Sequence, residues 1–264
     1  MFILRQIAYC WRVFIKVMTF VWFGVGSLFL ATILFPVLYV LSGFSRERFG
    51  RLARLAVHFS HKLAIAHVAY FGCGRFRVEH RERLKGLMSK IVVANHPSIL
   101  DVVILFSLIP NADCIVKGSL GQNRFMKGIV NSIYIVNSKT FEDQLAETDK
   151  SLKRGNCLII FPEGTRSVPG ARWQFKKGAA RFALHSKCDV VPIYIGGNDP
   201  VGLRKHDRMF SAHPTERYHY DLDVLEPIPI EKFLGYPPSQ AAALLTREMQ
   251  DVLEARRAQA LAKK

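Results

Sequence analysis

The sequence lacks the cysteine patterns of disulfide-rich and zinc-binding proteins. Its 264 residues include five cysteines, an odd and widely spaced set without a C-x-x-C pair. Small secreted domains are usually held by an even number of cysteines at close spacings. No zinc-finger histidine spacing accompanies the five thiols. We therefore expect them to be reduced, in a chain whose main domain faces a reducing compartment, and the sequence predicts no metal site.

Acidic residues are also scarce. The chain has 37 Lys and Arg against 21 Asp and Glu, which gives a formal net charge of +16. Such an excess indicates anionic partners and says nothing about the fold. Nucleic acid, anionic lipid headgroups, or a phosphate-bearing substrate with an acidic carrier protein would all fit. No nucleic-acid motif and no regular aromatic–basic alternation occurs, which argues against nucleic acid.

Charge of either sign is absent from residues 17–45. This run can cross a hydrocarbon core of about 30 Å, and it exceeds a signal-peptide core of about 7 to 15 residues. Pro36 removes a backbone donor, and Gly24 and Gly26 loosen the helix further. A helical hairpin in one leaflet therefore competes with a single span. Either arrangement predicts a membrane anchor.

Basic residues flank the uncharged run on both sides, and they are slightly more frequent after it. Arg5, Arg12 and Lys16 precede the run, whereas Arg46, Arg48, Arg51 and Arg54 follow it. The positive-inside rule therefore favours a cytoplasmic main domain. Apolar residues then recur every three or four positions over Arg51–Val68, which predicts an amphipathic helix on the membrane surface or on the domain. We interpret residues 1–70 as membrane-anchoring helices.

From Arg75 onward, short apolar runs alternate with helical patterns. The predicted strands are 75–79, 91–94, 113–117, 133–136, 157–161, 190–195 and a late strand at 218–224. The predicted helices are 98–107, 141–153, 177–186 and 240–260. This alternation predicts an α/β fold with a mostly parallel or mixed sheet flanked by helices. No linker divides it, so residues 71–264 are expected to form one domain.

A histidine and an aspartate follow the predicted strand 91–94 at a spacing of five residues. On one continuous helix His96 and Asp101 would lie about 140° apart and would not meet. Pro97 favours the first position of a helix, which would leave His96 just before it. Asp101 could then reach back to one imidazole nitrogen and leave the other free as a base. Taken alone, the pattern fits an unrelated His and Asp equally well.

A second polar segment, Phe161-Pro162-Glu163-Gly164-Thr165-Arg166-Ser167, follows the predicted strand 157–161. Arg166 can present a planar pair of donors to phosphate oxygens. Glu163 could orient that arginine or contact a substrate hydroxyl. By composition alone, a surface turn with an ion pair is the simpler interpretation.

Together, the two segments resemble the glycerophospholipid acyltransferase family, the group of lysophosphatidic acid acyltransferases. That family carries an H-x-x-x-x-D motif and an F-P-E-G-T-R-S motif on an α/β domain behind N-terminal membrane helices. Two further blocks are similar, Lys117-Gly118 with Gly128, and Val191-Pro192-Ile193. The Lys117 block departs from the family by continuing Ser119-Leu120, which bears on the acceptor headgroup more than on the chemistry.

The resemblance implies that His96 is the general base and that Asp101 orients it. It implies an acceptor-binding set with Arg166 on the acceptor phosphate: Glu163, Gly164, Thr165, Arg166 and Lys117. The implied reaction moves an acyl group to the hydroxyl of a lysophospholipid such as 1-acylglycerol-3-phosphate. Acyl-CoA or an acyl-carrier protein would be the co-substrate, and no cofactor is expected.

Two other functions remain open. A serine-type lipid hydrolase could use the same His and Asp, but no G-x-S-x-G segment supplies its nucleophile. A noncatalytic basic protein that binds membranes is the other. Within the acyltransferases, a different lipid acceptor such as a specialised lipid anchor is possible in chemical terms. The expected partners are membrane lipids and the acyl donor, and the expected location is a bacterial inner membrane with the catalytic domain on its cytoplasmic side.

Overall fold

A computed structural model describes residues 2–116, 134–136, 140–208 and 210–262. Its N-terminal part is one long apolar helix. Helix α1 (Phe2–Phe29) continues through a π-helical turn (Leu30–Leu34) into α2 (Phe35–Leu41). Pro36 lies at the start of α2, where its ring would clash with the carbonyl group four residues earlier in a regular helix. The wider π turn that precedes it relieves this clash and keeps the helix continuous.

Helix α3 (Arg46–Tyr70) runs back along α1 and α2. Ring contacts pair Trp11 with Phe71, Trp22 with His67, and Phe35 with Phe49, so the two arms are antiparallel. The uncharged run forms one continuous helix as far as Leu41, and the predicted amphipathic helix forms an N-terminal hairpin with it as the return arm. The choice between a single span and insertion into one leaflet stays a prediction. Ser45 begins α3 by accepting a hydrogen bond from the Arg48 amide, as a helix N-cap does.

The first arm has the character of a membrane-associated helix. Among the described residues, Ile3–Leu41 is the one helix long and apolar enough to cross a membrane. Its large exposed side chains are almost entirely apolar: Ile3, Leu4, Ile7, Trp11, Phe14, Val21, Trp22, Val25, Leu28 and Phe29. An apolar surface of this extent marks a membrane or protein contact. The protein is therefore membrane-associated through its N-terminal helix.

The main domain is built on a seven-stranded sheet within the described residues. The strands are β1 (Gly74–Glu79), β2 (Ile91–Ala94), β3 (Ala112–Val116), β4 (Tyr134–Val136), β5 (Cys157–Ile160), β6 (Val190–Gly197) and β7 (Tyr218–Val224). Their order is β1-β7-β6-β2-β5-β3-β4. All neighbours are parallel except β6 and β7. The predicted α/β fold with a mostly parallel sheet is confirmed.

In the described part of the chain, four further α-helices cover this sheet: α4 (Leu100–Leu108), α5 (Phe141–Lys153), α6 (Gly178–Ser186) and α7 (Pro238–Ala262). Helices α3 and α4 pack on one face of the sheet, together with side chains of α1. The other face is covered by α5, α6 and α7. The sheet therefore has one face towards the N-terminal hairpin and one face away from it.

Helix α4 begins two residues later than the sequence predicted. The expected start at Ser98 is wrong because Ser98 donates its amide and its hydroxyl to the Asp101 carboxylate. These bonds hold Ser98 and Ile99 in a turn that precedes the first helical residue, Leu100. Pro97 likewise lies in the loop and not at the first helical position. Lys117 and Ile133, at the ends of two predicted strands, lie outside the described residues.

Candidate active site

The sheet topology brings the two polar segments of the sequence together. Strands β2 and β5 are parallel neighbours, with Val93 paired to Ile160. Residues 95–101 follow the carboxyl end of β2, and residues 161–167 follow the carboxyl end of β5. In open α/β sheets this edge is where binding sites are built. The two segments therefore form adjacent turns at one edge of the sheet.

His96 and Asp101 are in direct contact. The imidazole Nδ1 lies 2.7 Å from Asp101 Oδ2. His96 lies in the loop before α4, and Asp101 in the first turn of α4 reaches back to it. Asp101 is completely buried, while the His96 side chain is 16 % exposed. Because the carboxylate accepts a hydrogen bond from Nδ1–H, Nε2 is left as the basic nitrogen on the accessible side.

The Asp101 carboxylate accepts two more hydrogen bonds, both from Ser98. The Ser98 amide donates to Oδ2 at 2.7 Å, and the Ser98 hydroxyl donates to Oδ1 at 2.6 Å. Burial raises the pKa of Asp101 above its ordinary value, and the hydrogen bonds from His96 and Ser98 act in the opposite direction. A buried carboxylate needs such donors, because an unpaired charge in the interior is costly.

The hydrogen bonds continue beyond Ser98. The Tyr220 hydroxyl donates to Ser98 Oγ at 2.8 Å, and the Leu100 amide donates to the same oxygen at 3.2 Å. Sequence reasoning did not identify Ser98 or Tyr220 as site residues. A serine three positions before an acid at a helix start is a recognisable capping pattern, whereas Tyr220 gave no local signal because its position depends on the strand order.

Glu163 connects the two turns. Its Oε1 accepts a hydrogen bond from the His96 amide at 3.0 Å and another from the Ser167 hydroxyl at 2.8 Å. The Ser167 amide in turn donates to the His96 carbonyl at 2.7 Å. Burial raises the pKa of Glu163, and these hydrogen bonds oppose that shift. The predicted acceptor-binding role of Glu163 stays a prediction, and its visible contacts hold His96 in place.

Phe161 forms one side of the histidine site. Its ring stacks on the His96 imidazole with the ring centroids 4.1 Å apart and the planes 21° apart. Asn95, directly before His96, exchanges two hydrogen bonds of 2.8 Å with the backbone of Ile195 on β6. The position of the imidazole is therefore fixed by the bonding of Asn95 to strand β6 and by the stacked ring of Phe161.

Arg166 points towards the segment that follows β6. Its Nη1 donates to the carbonyl groups of Leu203 at 3.2 Å and Arg204 at 3.0 Å. The Leu203 carbonyl also accepts from the Ile99 amide at 3.1 Å. One carbonyl group thus joins the two turns. The other N–H groups of Arg166 have no partner among the described residues, so they can bind an anion.

The remaining predicted binding residues are placed less closely. Gly164 and Thr165 are exposed at the tip of the turn. Gly164 has a φ of +70°, and a Cβ there would lie 2.9 Å from Lys176 Nζ. Glycine therefore suits this position in both conformation and space. Lys117 lies outside the described residues.

An apolar cavity of about 350 Å³ lies between the N-terminal hairpin and α4. Its walls come from α1, α3, α4, the segment between β6 and β7 and the first residue of β7, and they include the following residues: Ile15, Phe20, Phe23, His61, Ala64, Ile65, Val68, Ile99, Leu100, Val103, Leu203 and Tyr218. Two of these residues, Ile99 and Leu100, belong to the turn between His96 and Asp101. Burial lowers the pKa of His61 to about 4. A cavity of this size and lining suits an alkyl chain.

Two cations of α1 hold the segment that closes this cavity. Lys16 donates to the carbonyl groups of Gly202 and Ser211. Arg12 donates to those of His213 at 3.2 Å and Pro214 at 2.7 Å. Both cations are buried, and the carbonyl oxygens compensate for the lost hydration. The N-terminal helix is therefore bonded to the same segment that receives Arg166.

In the part of the chain that the structure describes, no group of three or more His, Cys, Asp or Glu side chains is arranged to hold a metal ion. The five cysteines, all within this part, are unpaired thiols. Burial raises the pKa of Cys157 to about 11, so this thiol is a poor nucleophile.

Comparison with known proteins gives a consistent result. Residues 75–196 match the acyltransferase family model. Human 1-acyl-sn-glycerol-3-phosphate acyltransferase alpha is 26% identical over 202 residues, which cover 73% of this chain and 67% of that protein. The chloroplast 1-acyl-sn-glycerol-3-phosphate acyltransferase LPAT1 of Arabidopsis thaliana is 32% identical over 151 residues, 54% of this chain and 42% of that protein.

A solved structure agrees with these relatives at the level of the fold. The crystal structure of PlsC, the 1-acyl-sn-glycerophosphate acyltransferase of Thermotoga maritima, superposes with a TM-score of 0.65. It is 20% identical and covers 91% of this chain and 97% of that chain. His96, Asp101 and Arg166 lie inside the family match, whereas the N-terminal hairpin and Tyr220 lie outside it.

Proposed function

We propose that this chain is an acyltransferase of the matched family, and that it moves a fatty acyl group from a thioester donor to the hydroxyl of a lysophospholipid, with His96 as the general base. The relatives named for 1-acylglycerol-3-phosphate support that acceptor. The chain spans about two thirds of the human relative and less than half of the Arabidopsis one. The observation that carries the proposal is the His96–Asp101 contact at the edge of an apolar cavity.

The proposed reaction is a single transfer. His96 Nε2 takes the proton of the acceptor hydroxyl as its oxygen attacks the thioester carbonyl carbon. The new C–O bond forms, the C–S bond breaks, and the leaving thiolate takes the proton back from His96. A positioned base of this kind contributes about 10²- to 10⁴-fold, and holding two substrates in register contributes more.

The cavity suits the acyl chain that is transferred. Its walls are almost entirely apolar, and they include Ile99 and Leu100, which lie between His96 and Asp101 in the sequence. Each buried methylene contributes about 0.8 kcal/mol to binding. A chain in this cavity would present its carbonyl carbon near His96, where the acceptor hydroxyl is deprotonated.

The acceptor phosphate is assigned to Arg166. The N–H groups that Arg166 does not give to Leu203 and Arg204 can bind phosphate oxygens. Acyl-CoA or an acyl-carrier protein supplies the thioester, and the reaction needs no further cofactor. We place the catalytic domain on the cytoplasmic face of a bacterial inner membrane, because basic residues follow the apolar helix.

The proposal is tested with purified membranes that contain the protein. Labelled acyl-CoA or acyl-carrier protein is incubated with a panel of lysolipids, and the products are identified by mass. We expect a diacyl product from 1-acylglycerol-3-phosphate and a loss of about 10²- to 10⁴-fold in His96→Ala. His185→Ala, which removes an exposed histidine of α6, serves as the control and should retain activity.

Two results would contradict the proposal. Near-wild-type transfer by His96→Ala would exclude the general-base role. Thioester or ester cleavage that proceeds equally fast without any acceptor would identify a hydrolase instead.

A further inference from the structure

We propose that Ser98 and Tyr220 are positioning residues for the base, and that they extend the His96–Asp101 pair into a four-membered hydrogen-bond chain that sets the pH range of activity. This inference rests on the proposed function, because it assigns roles around the same base. Neither residue touches the reacting atoms, and both act through Asp101.

The chain is continuous and short. Tyr220 donates to Ser98 Oγ at 2.8 Å, Ser98 Oγ donates to Asp101 Oδ1 at 2.6 Å, and His96 Nδ1 lies 2.7 Å from Asp101 Oδ2. Ser98 and Asp101 are completely buried, and Tyr220 is 3% exposed. Only the His96 end is accessible to substrates. Hydrogen bonds in such a dry environment are electrostatically stronger and polarise one another.

The Ser98 hydroxyl has one orientation available. Its oxygen accepts from the Tyr220 hydroxyl and from the Leu100 amide, which uses both lone pairs. Its single proton must then point to Asp101. Burial raises the pKa of Tyr220 well above its ordinary value, so this phenol keeps its proton and remains a donor. Tyr220 therefore fixes the direction of the Ser98 hydrogen bond.

The chain controls how strongly Asp101 attracts a proton on His96. Every donor to a buried carboxylate stabilises its negative charge. With a donor removed, the carboxylate interacts more strongly with the charged form of the imidazole, so we expect activity that needs the neutral form to require a higher pH. Among the described residues, Glu163 is a second ionisable group at His96, because it accepts from the His96 amide, and the Phe161 ring covers one face of the imidazole.

Tyr220 reaches this site from outside the matched family region. It lies on β7, and its ring stacks on Phe76 of β1 with centroids 5.5 Å apart and planes 10° apart. Strand β7 pairs with β1 on one side and β6 on the other. Tyr220 thus supports the base from β7, a strand that carries neither of the two polar turns.

The test is a double-mutant cycle on transfer activity. Tyr220→Phe keeps the ring and its stacking on Phe76, and we expect kcat to fall about fivefold. Ser98→Ala removes a donor to a charged group, and we expect a fall of about 30-fold. If Tyr220 acts through Ser98, the double variant is no slower than Ser98→Ala. Multiplication of the two effects, about 150-fold in all by the same estimates, would overturn the proposal.

The second readout is the pH dependence of kcat. We expect the acid limb to move to higher pH in Tyr220→Phe and further in Ser98→Ala, with little change in KM. Tyr194→Phe is the control, because Tyr194 is a buried tyrosine of the neighbouring strand β6 whose ring contacts Trp173 and Arg256 and lies outside the cavity. It should leave the acid limb in place.

The tyrosine pair decides the matter even if Ser98→Ala fails to fold. An unchanged acid limb in Tyr220→Phe, or an equal shift in Tyr194→Phe, would overturn the proposal. If His96→Ala is inactive, either of these results would still leave the proposed function intact. Full activity in His96→Ala would remove the proposed function instead.

Discussion

The two faces of the central sheet are packed for different purposes. Strand β2 shows the division, since Val92 and Ala94 point to the face covered by α3 and α4, whereas Ile91 and Val93 point to the face covered by α6 and α7. The first face, which we call the hairpin face, contains the apolar cavity, the dyad and Tyr220. The second face, the outer face, is packed with aliphatic side chains from α6 and α7.

This contrast indicates that the N-terminal hairpin completes the proposed site. Residues of α1 and α3 line the same cavity as residues of α4, so the proposed acyl site lies between the anchor and the sheet. The outer face has no such task, and its contribution is to the free energy of unfolding. Substitutions on the hairpin face should therefore change chemistry or substrate choice, and substitutions on the outer face should change stability alone.

The largest effect is expected at Asp101. Asp101→Asn offers an amide to His96 in place of a carboxylate, which favours the wrong tautomer, and kcat should fall by about 10³- to 10⁴-fold. Asp113→Asn is the control, because Asp113 is also buried and pairs with Arg54 at 2.7 Å away from the dyad. For Asp113→Asn, steady-state kinetics should show a retained kcat, and thermal unfolding should show a loss of stability. A comparable loss of kcat in both variants would mean that burial, and not the dyad, governs activity.

On the outer face, Leu245→Ala should destabilise the protein by about 2 to 5 kcal/mol, because Leu245 of α7 is completely buried. Its neighbour Leu244 is 37% exposed, and Leu244→Ala should change stability by less than about 0.5 kcal/mol. Thermal unfolding measures both. The chain-length preference of the folded enzyme should stay unchanged, and an altered preference would break the division between the faces.

The cavity histidine should make the hairpin face sensitive to acid. The pKa of His61 is lowered from 6.5 to about 4, so the unfolded chain binds this proton more readily than the folded one. The stabilisation of the folded state by neutral His61 is complete above pH 6.5 and is lost as the pH falls to about 4, for a total of about 3 kcal/mol. The free energy of unfolding of His61→Leu should fall less over that range, while that of His185→Leu should follow the wild type. Unfolding midpoints between pH 4 and 7 provide the test.

The smallest effect concerns substrate length. Ala64→Leu adds three carbon atoms inside the cavity, whereas Ala66→Leu adds them on the exposed side of the same helix. We expect kcat/KM for the longest acyl donors to fall about tenfold in Ala64→Leu, since each methylene that is excluded costs about 0.8 kcal/mol. Shorter donors and the Ala66→Leu variant should be unaffected. A uniform loss across all chain lengths would place the acyl chain elsewhere.

Much of the fold could be predicted from local patterns. Strand Ile91–Ala94 and helix Phe141–Lys153 have the bounds that the sequence indicated. The strand is a continuous apolar run, and the helix has apolar periodicity and an N-cap at Thr140. The start of α4 was predicted too early because the Asp101 side chain competes for the Ser98 amide, a contact that periodicity does not express.

The arrangement of the site needed the tertiary structure. Adjacent turns after β2 and β5 follow from their parallel pairing, which apolar runs alone do not specify because a doubly covered strand is apolar on both faces. The Tyr220–Ser98 contact depends on β7 returning between β6 and β1. The contacts of Arg166 with Leu203 and Arg204 depend on a segment without periodicity. The roles assigned to the site residues stay predictions that the variants above will test.

The hydrogen bonds that Arg12 and Lys16 make to the segment 202–214 limit how this enzyme can be re-engineered. An anchor that only tethered the domain could be exchanged for any other apolar helix. Here an exchange would remove one wall of the cavity and leave four carbonyl groups without their donors. The same helix therefore provides the membrane attachment and one wall of the cavity, and a soluble version of the protein would require a substitute for both.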